Sequence, residues 1–251
     1  MPPPGGGDDP TQDVQAFIAA RQRVVARIAA ACGRVRRDSG SVSLIAVSKT
    51  VPAERLRAAV AAGLTVLGEN RVQEGVAKAP DVPGATWELI GPLQSNKARR
   101  ALEVFARIQT VDSLDLARRL DRLAGEVVPG VRYPVLVQVN VDGDPAKAGF
   151  GPSAALEAIP ELVDLGNLAV GGLMTVGRFA ASAAEARATF TALRRLSDEL
   201  RTHWPASGPE LSMGMSDDFE LAVEEGATIV RVGRALFGDR ANVGGAGEDP
   251  A

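Results

Sequence analysis

Two periods share this chain. Short runs dominated by apolar residues, six to nine positions long, recur at 43–49 (SLIAVSK), 65–70 (TVLGEN), 86–91 (TWELIG), 107–112 (RIQTVD), 133–141 (YPVLVQVNV), 168–176 (LAVGGLMTV), 210–216 (ELSMGMS) and 228–233 (TIVRVG). Their apolar centres read as strands buried on both faces, as in a parallel sheet. Between them the spacing changes to that of amphipathic helices, in "PAERLRAAVAAG", "SNKARRALEVFA" and "LDLARRLDRLAGEV". A further helix is expected ahead of the first strand, over residues 13–37. Start and stop signals agree with this division: Pro52 near a first helical turn, Ser113 as an N-cap, and Gly63 and Gly226 just past helix ends.

Eight strands alternating with helices predict a single-domain (β/α)₈ TIM barrel over residues 11–240. An open doubly wound sheet has the same local signature, but the strand count and the lack of a G-x-G-x-x-G turn after the first strand favour the barrel. The Pro/Gly-rich acidic stretch 1–10 and the residues 241–251 read as disordered tails.

A barrel of this kind carries its chemistry at the C-terminal ends of its strands. Polar residues gather there: Lys49, Asn70, Asn140, Ser216, and Arg231 with Gly233. Alternation puts Ile45, Val47 and Lys49 on one face of the first strand and Ile229, Arg231 and Gly233 on one face of the last. Closure makes those two strands neighbours, so Lys49 and Arg231 are expected to share one mouth.

Composition narrows the function classes. A net charge of −3 and 4% aromatic residues argue against nucleic acid, and no apolar run spans a membrane. Cys32 and His203 are the only residues of their types, which leaves no disulfide framework, no cysteine or multi-histidine metal site, and a reducing, cytoplasmic setting. His203 reads as a surface residue at a helix end. Lysine is scarce, four among 28 basic residues (Lys49, Lys78, Lys97 and Lys147), so one closing a buried strand invites a chemical explanation.

Each motif has two readings. A desolvated Lys49 loses its proton more easily and becomes a nucleophile suited to carbonyl chemistry; alternatively it snorkels, or pairs with Glu69. Ser216 in "GMSDD" is expected to cap a helix beginning near Asp217, where N–H groups could hold a phosphate. Arg231, flanked by valines, needs an acceptor, either a carboxylate in the barrel or a ligand nitrogen. Gly233 permits close approach of a ligand to backbone.

Taken in order, "AVSKT", "GENRVQE", "IGPLQSNK", "QVNV…KAG", "GGLMTV", "GMSDD" and "VRVGRALFG" resemble the YggS/PROSC family of pyridoxal phosphate homeostasis proteins, over about residues 44–238. The resemblance implies a barrel akin to the N-terminal domain of alanine racemase, PLP fold type III-like, with pyridoxal 5′-phosphate (PLP) held as a Schiff base on Lys49. It implies Ser216, Gly233 and Arg234 at the phosphate, Arg231 facing the pyridine nitrogen, and Asn70 and Met174 near the ring. Besides a conservative Met213 for leucine, three positions depart from the family pattern: Arg71 replaces a usual tyrosine, Glu88 a common histidine, and Arg234 a frequent threonine.

The function expected from this resemblance is non-catalytic PLP binding in vitamin B6 homeostasis by a cytoplasmic monomer, with PLP-dependent apoenzymes as recipients and no membrane, nucleic-acid or metal partner. The sequence ends shortly after the last strand, so the appended β-domain that supplies a second acid/base in alanine racemase is expected to be lacking. A PLP-dependent amino-acid racemase is the alternative. A barrel lysine acting on a sugar phosphate ranks third, because it leaves Arg231 without a role.

Overall fold

The computed structural model describes residues 10–177 and 182–238. The two expected tails lie outside these residues, except for Pro10, which opens the first helix. Eight parallel strands close on themselves in sequence order: β1 (Ser43–Val47), β2 (Val66–Glu69), β3 (Thr86–Leu89), β4 (Arg107–Val111), β5 (Tyr133–Gln138), β6 (Leu168–Met174), β7 (Glu210–Ser212) and β8 (Ile229–Val232). The barrel expected from the alternating pattern is the one found.

Helix α1 (Pro10–Arg34) precedes β1, and α2 (Ala53–Ala61), α3 (Val72–Lys78), α4 (Ala98–Val104), α5 (Leu114–Val127), α6 (Pro152–Asp164), α7 (Ala183–His203) and α8 (Phe219–Glu224) connect successive strands. A four-residue helix, α9 (Arg234–Phe237), follows β8. The expected caps operate: the Ser113 hydroxyl accepts from the Leu116 N–H at 3.3 Å, and Gly63 and Gly226 adopt φ of +86° and +106° after α2 and α8.

Strands end earlier than the apolar runs suggested, because the mouth residues turn away from the ladder. In β7 the cause is Gly214, at φ +89°, where a Cβ would come 2.5 Å from that of Ala222. The chain there bends over α8 after only three paired residues.

Two cores result. The larger lies between the sheet and its helices and includes Phe17, Leu56, Leu67, Leu120, Ile159, Phe190 and Phe219. The smaller fills one part of the barrel interior with Ile45, Leu136, Met174 and Ile229. The remaining buried positions include Glu88, Gln109, Gln138, Ser212 and Arg231, which are polar. Registers Ser43↔Ile229 and Ile45↔Arg231 close the barrel, and set Arg231 level with Ile45, deeper than Lys49.

Candidate cofactor-binding site

The end of β1 is fixed on both sides of Lys49. Before it, Ser48 is fully buried; its N–H and hydroxyl donate to the Gly68 carbonyl at 3.0 and 3.1 Å, and the hydroxyl also lies 2.8 Å from Oε1 of Glu69. Lys78 of α3 donates to the Ser48 carbonyl at 3.0 Å and to Glu69 at 2.7 Å. After it, Thr50 takes φ +64°, a conformation that a β-branched residue adopts only under constraint, and its N–H donates to Glu74 at 3.3 Å.

This arrangement removes one of the readings of Lys49. Glu69 is engaged by Lys78 and Ser48, so it is not the partner of Lys49. Burial raises the Glu69 carboxyl above its ordinary value, against the opposing pull of Lys78, and its Oε2 has no hydrogen-bond partner. Lys49 itself is half-buried and makes no hydrogen bond or ion pair with the described residues.

Arg231 is 3% exposed. Its Nη1 donates to the Ser212 hydroxyl at 2.6 Å and its Nη2 to the Thr175 carbonyl at 2.8 Å. Neither acceptor is a carboxylate, and two bonds leave part of a five-donor fork uncommitted. Burial pulls its pKa down to about 10, with Asp218 acting in the opposite direction, so it stays charged at neutral pH.

Ser216 does not cap a helix. Asp218 stands at the N-cap of α8 and folds back to accept from the Met215 N–H at 2.6 Å, which leaves Ser216 free to lean across to β8. There its hydroxyl accepts from the Gly233 N–H at 3.2 Å. Arg234 pairs with Asp217, so one of the two acidic residues beside Ser216 has a counter-ion within the protein. Ser216, Arg234 and Arg27 of α1 line a cleft of about 470 Å³. Arg27 was not foreseen: it lies well before the barrel, and only packing against α8, with its guanidinium over Phe219 and 2.6 Å from Glu220, brings it here.

On the other flank, Asn70 and Arg71 line a concavity of about 360 Å³ with Gln94 and Lys97. Asn140, also expected at the mouth, instead ties down its own loop, donating to the carbonyls of Asp144 and Lys147. Lys147 donates to the Val176 carbonyl at 3.1 Å. Met174 is fully buried in the apolar part of the interior.

A model of the alanine racemase N-terminal domain matches residues 25–241. The pyridoxal phosphate homeostasis protein of Aquifex aeolicus is 40% identical over 220 residues, 87% of this chain and 96% of its own length. Its namesake in Pseudomonas aeruginosa is 43% identical over 221 residues, 87% and 93% of the two chains. This chain belongs to the pyridoxal phosphate homeostasis family. PipY of Synechococcus elongatus, a structure with PLP bound, is 45% identical, with a TM-score of 0.74 over 84% of this chain and 100% of that one. Alanine racemase of Clostridium difficile, at 16% identity and a TM-score of 0.64, shares the fold.

Within this homeostasis family, the three departures have different settings here. Arg71 is exposed at the rim of its concavity. Arg234 is exposed and gives one arm of its fork to Asp217. Glu88 is buried inside the barrel, where the Gln109 amide donates to it at 2.6 Å. The sequence gives Glu88 no role inside the barrel, because its partners Gln109 and Arg107 on the next strand meet it only once the barrel closes.

Proposed function

We propose that this chain holds PLP at the barrel mouth, on Lys49, and serves PLP homeostasis in the cytoplasm as a monomer that supplies PLP-dependent apoenzymes and performs no catalysis of its own. The observation that carries the reading is Lys49 itself: an amine without a hydrogen-bond or ion-pair partner among the described residues, at the end of a clamped strand that pairs with the strand carrying the buried Arg231. The names of the relatives and the PLP bound in PipY support it.

The residues present fit the group. Lys49 would take its carbonyl, Arg231 its ring nitrogen, Ser216, Gly233 and Arg234 its phosphate, with Asn70 and Met174 along the ring. When bound, PLP supplies an aldehyde that condenses with a primary amine and a ring that draws electron density. Arg231 can donate but not accept, so it favours a ring nitrogen without a proton, which weakens that draw.

Two common acid/base side chains lie away from the mouth. The one tyrosine, Tyr133, opens β5 at the end of the barrel opposite the mouth, and its buried hydroxyl donates to the Phe105 carbonyl. The one histidine, His203, ends α7 on that same far side, exposed beside Trp204. Neither residue is placed to move a proton at the mouth.

The test is to load the protein with PLP, add amino acids in deuterated water, and follow α-proton exchange alongside transfer to an apo-aminotransferase. Exchange no faster than with free PLP, with reactivation of the apoenzyme and a mass near 26.1 kDa by light scattering, is expected. Protein-dependent exchange that disappears in Lys49→Ala would establish the racemase instead.

A further inference from the structure

Arg231 is the last link of a buried polar chain that crosses the barrel interior through four strands. Its Nη1 donates to the Ser212 hydroxyl of β7 at 2.6 Å; that hydroxyl lies 2.6 Å from Oε1 of Gln109 on β4; and Nε2 of Gln109 lies 2.6 Å from Oε2 of Glu88 on β3. Glu88 is 7% exposed, while Gln109 and Ser212 are fully buried. A chain of side chains sealed in this way must be satisfied from end to end.

Donor and acceptor chemistry fixes its direction. A guanidinium only donates, so the Ser212 oxygen accepts from Arg231 and its proton must go to the Gln109 carbonyl oxygen. The Gln109 amide must then point its NH₂ at Glu88, and a carboxylate, which only accepts, is the group that holds it so. Outside this chain, Glu88 faces Arg107, whose Nε is 3.7 Å from Oε1, and beyond it Glu210, which Arg107 binds at 2.8 Å. A neutral group at position 88 would let the Gln109 amide turn over. Its NH₂ would then donate to Ser212, whose oxygen would accept from Gln109 and Arg231 together while its own proton lost its acceptor, so the hold on the guanidinium would be shared and weaker.

We propose that Glu88 is a positioning residue for Arg231, setting through Gln109 and Ser212 the hydrogen-bond polarity that holds the guanidinium toward the ring nitrogen of PLP. This rests on the reading of Arg231 given above. A carboxylate at this position, where the family commonly carries histidine, is then tied to the cofactor without touching it.

The experiment compares equilibrium binding of PLP with that of 1-deaza-PLP, whose ring has C–H in place of the nitrogen. In the wild-type protein PLP should bind more tightly. Glu88→Gln should weaken PLP by roughly tenfold, the value of one hydrogen bond to a charged group, and leave the deaza compound nearly unchanged, so that the preference collapses. The exchange Glu88→Gln with Gln109→Glu should restore the preference, because a carboxylate at 109 again takes the serine proton, whereas a mere counter-ion to Arg107 would not be replaced. Ser212→Ala cuts the chain at another link and should abolish the preference even if Glu88→Gln does not fold. An unchanged preference in Glu88→Gln, or in Ser212→Ala where the former does not fold, overturns the proposal. Equal binding of the two compounds by wild-type protein overturns the role of Arg231, and this proposal with it.

Discussion

Oε1 of Glu69 lies 2.7 Å from Nζ of Lys78, behind the sheet rather than at the barrel mouth. That pair explains why the strand-end lysine has no counter-ion among the described residues. One lysine serves the fold by answering a buried carboxylate, and the other, Lys49, remains available to a ligand. The same Lys78 holds the Ser48 carbonyl at 3.0 Å, so the ion pair also fixes the backbone from which Lys49 projects.

Removing Lys78 therefore strands a charge. Lys78→Met should cost about 3 kcal/mol, because Glu69 is fully buried and keeps only Ser48. The double variant Glu69→Gln with Lys78→Met should recover most of that loss. Urea unfolding of the three proteins measures both. A double variant no more stable than Lys78→Met would show that the pair is not a unit.

Gly91 sets the opposite flank of the mouth. A Cβ at this position would come 2.2 Å from the Asn70 carbonyl oxygen and 2.7 Å from its Cα, backbone atoms that cannot swing aside. The Gly91 carbonyl is in turn held by Thr110 at 2.8 Å. Gly91→Ala should thus displace the Asn70 segment, costing about 1–3 kcal/mol of stability by overpacking and lowering PLP affinity as well. Thermal unfolding and a PLP titration check the two effects, and an alanine variant with unchanged affinity would remove Asn70 from the site.

Much of this was legible in the sequence. Eight strand positions, their closure, and the pairing of the first strand with the one that carries Arg231 follow from periodicity and the strand count. What escaped depends on which side chains meet once the elements are packed. Nothing near Glu69 marks Lys78 as its partner rather than Lys49, since both lysines are within reach of a strand-end carboxylate. Ser216 resembled a cap because "MSDD" offers three capping residues in a row, and only the tertiary fold shows Asp218 at the cap with Ser216 bonded to Gly233. Arg231 was expected on a carboxylate or a ligand, and its protein acceptors proved to be a serine hydroxyl and a main-chain carbonyl.

The outer shell has its own pH dependence. Glu224 accepts hydrogen bonds from Arg187 and Arg34, which hold its carboxyl below the ordinary value of 4.5 and join α7 and α1 to the end of α8. A depressed folded-state value means that this contribution is complete above pH 4.5 and is lost as pH falls through the lower value. Arg187→Ala should cost about 1 kcal/mol at pH 7, a modest figure because Arg187 is 41% exposed, and the gap to wild type should narrow below pH 4.5. Urea midpoints of the two proteins between pH 3 and 7 provide the comparison. Burial raises Glu69 and Glu88 in both proteins, so their opposite contribution cancels in the difference.

The measurement that bears most directly on the account is the visible spectrum of the protein mixed with PLP, before and after borohydride, followed by peptide mapping. A yellow band that borohydride bleaches, leaving a pyridoxyl adduct on Lys49 and on none of Lys78, Lys97 or Lys147, is the expected result. A reduced adduct on another lysine, or a band of full strength in Lys49→Ala, would contradict it.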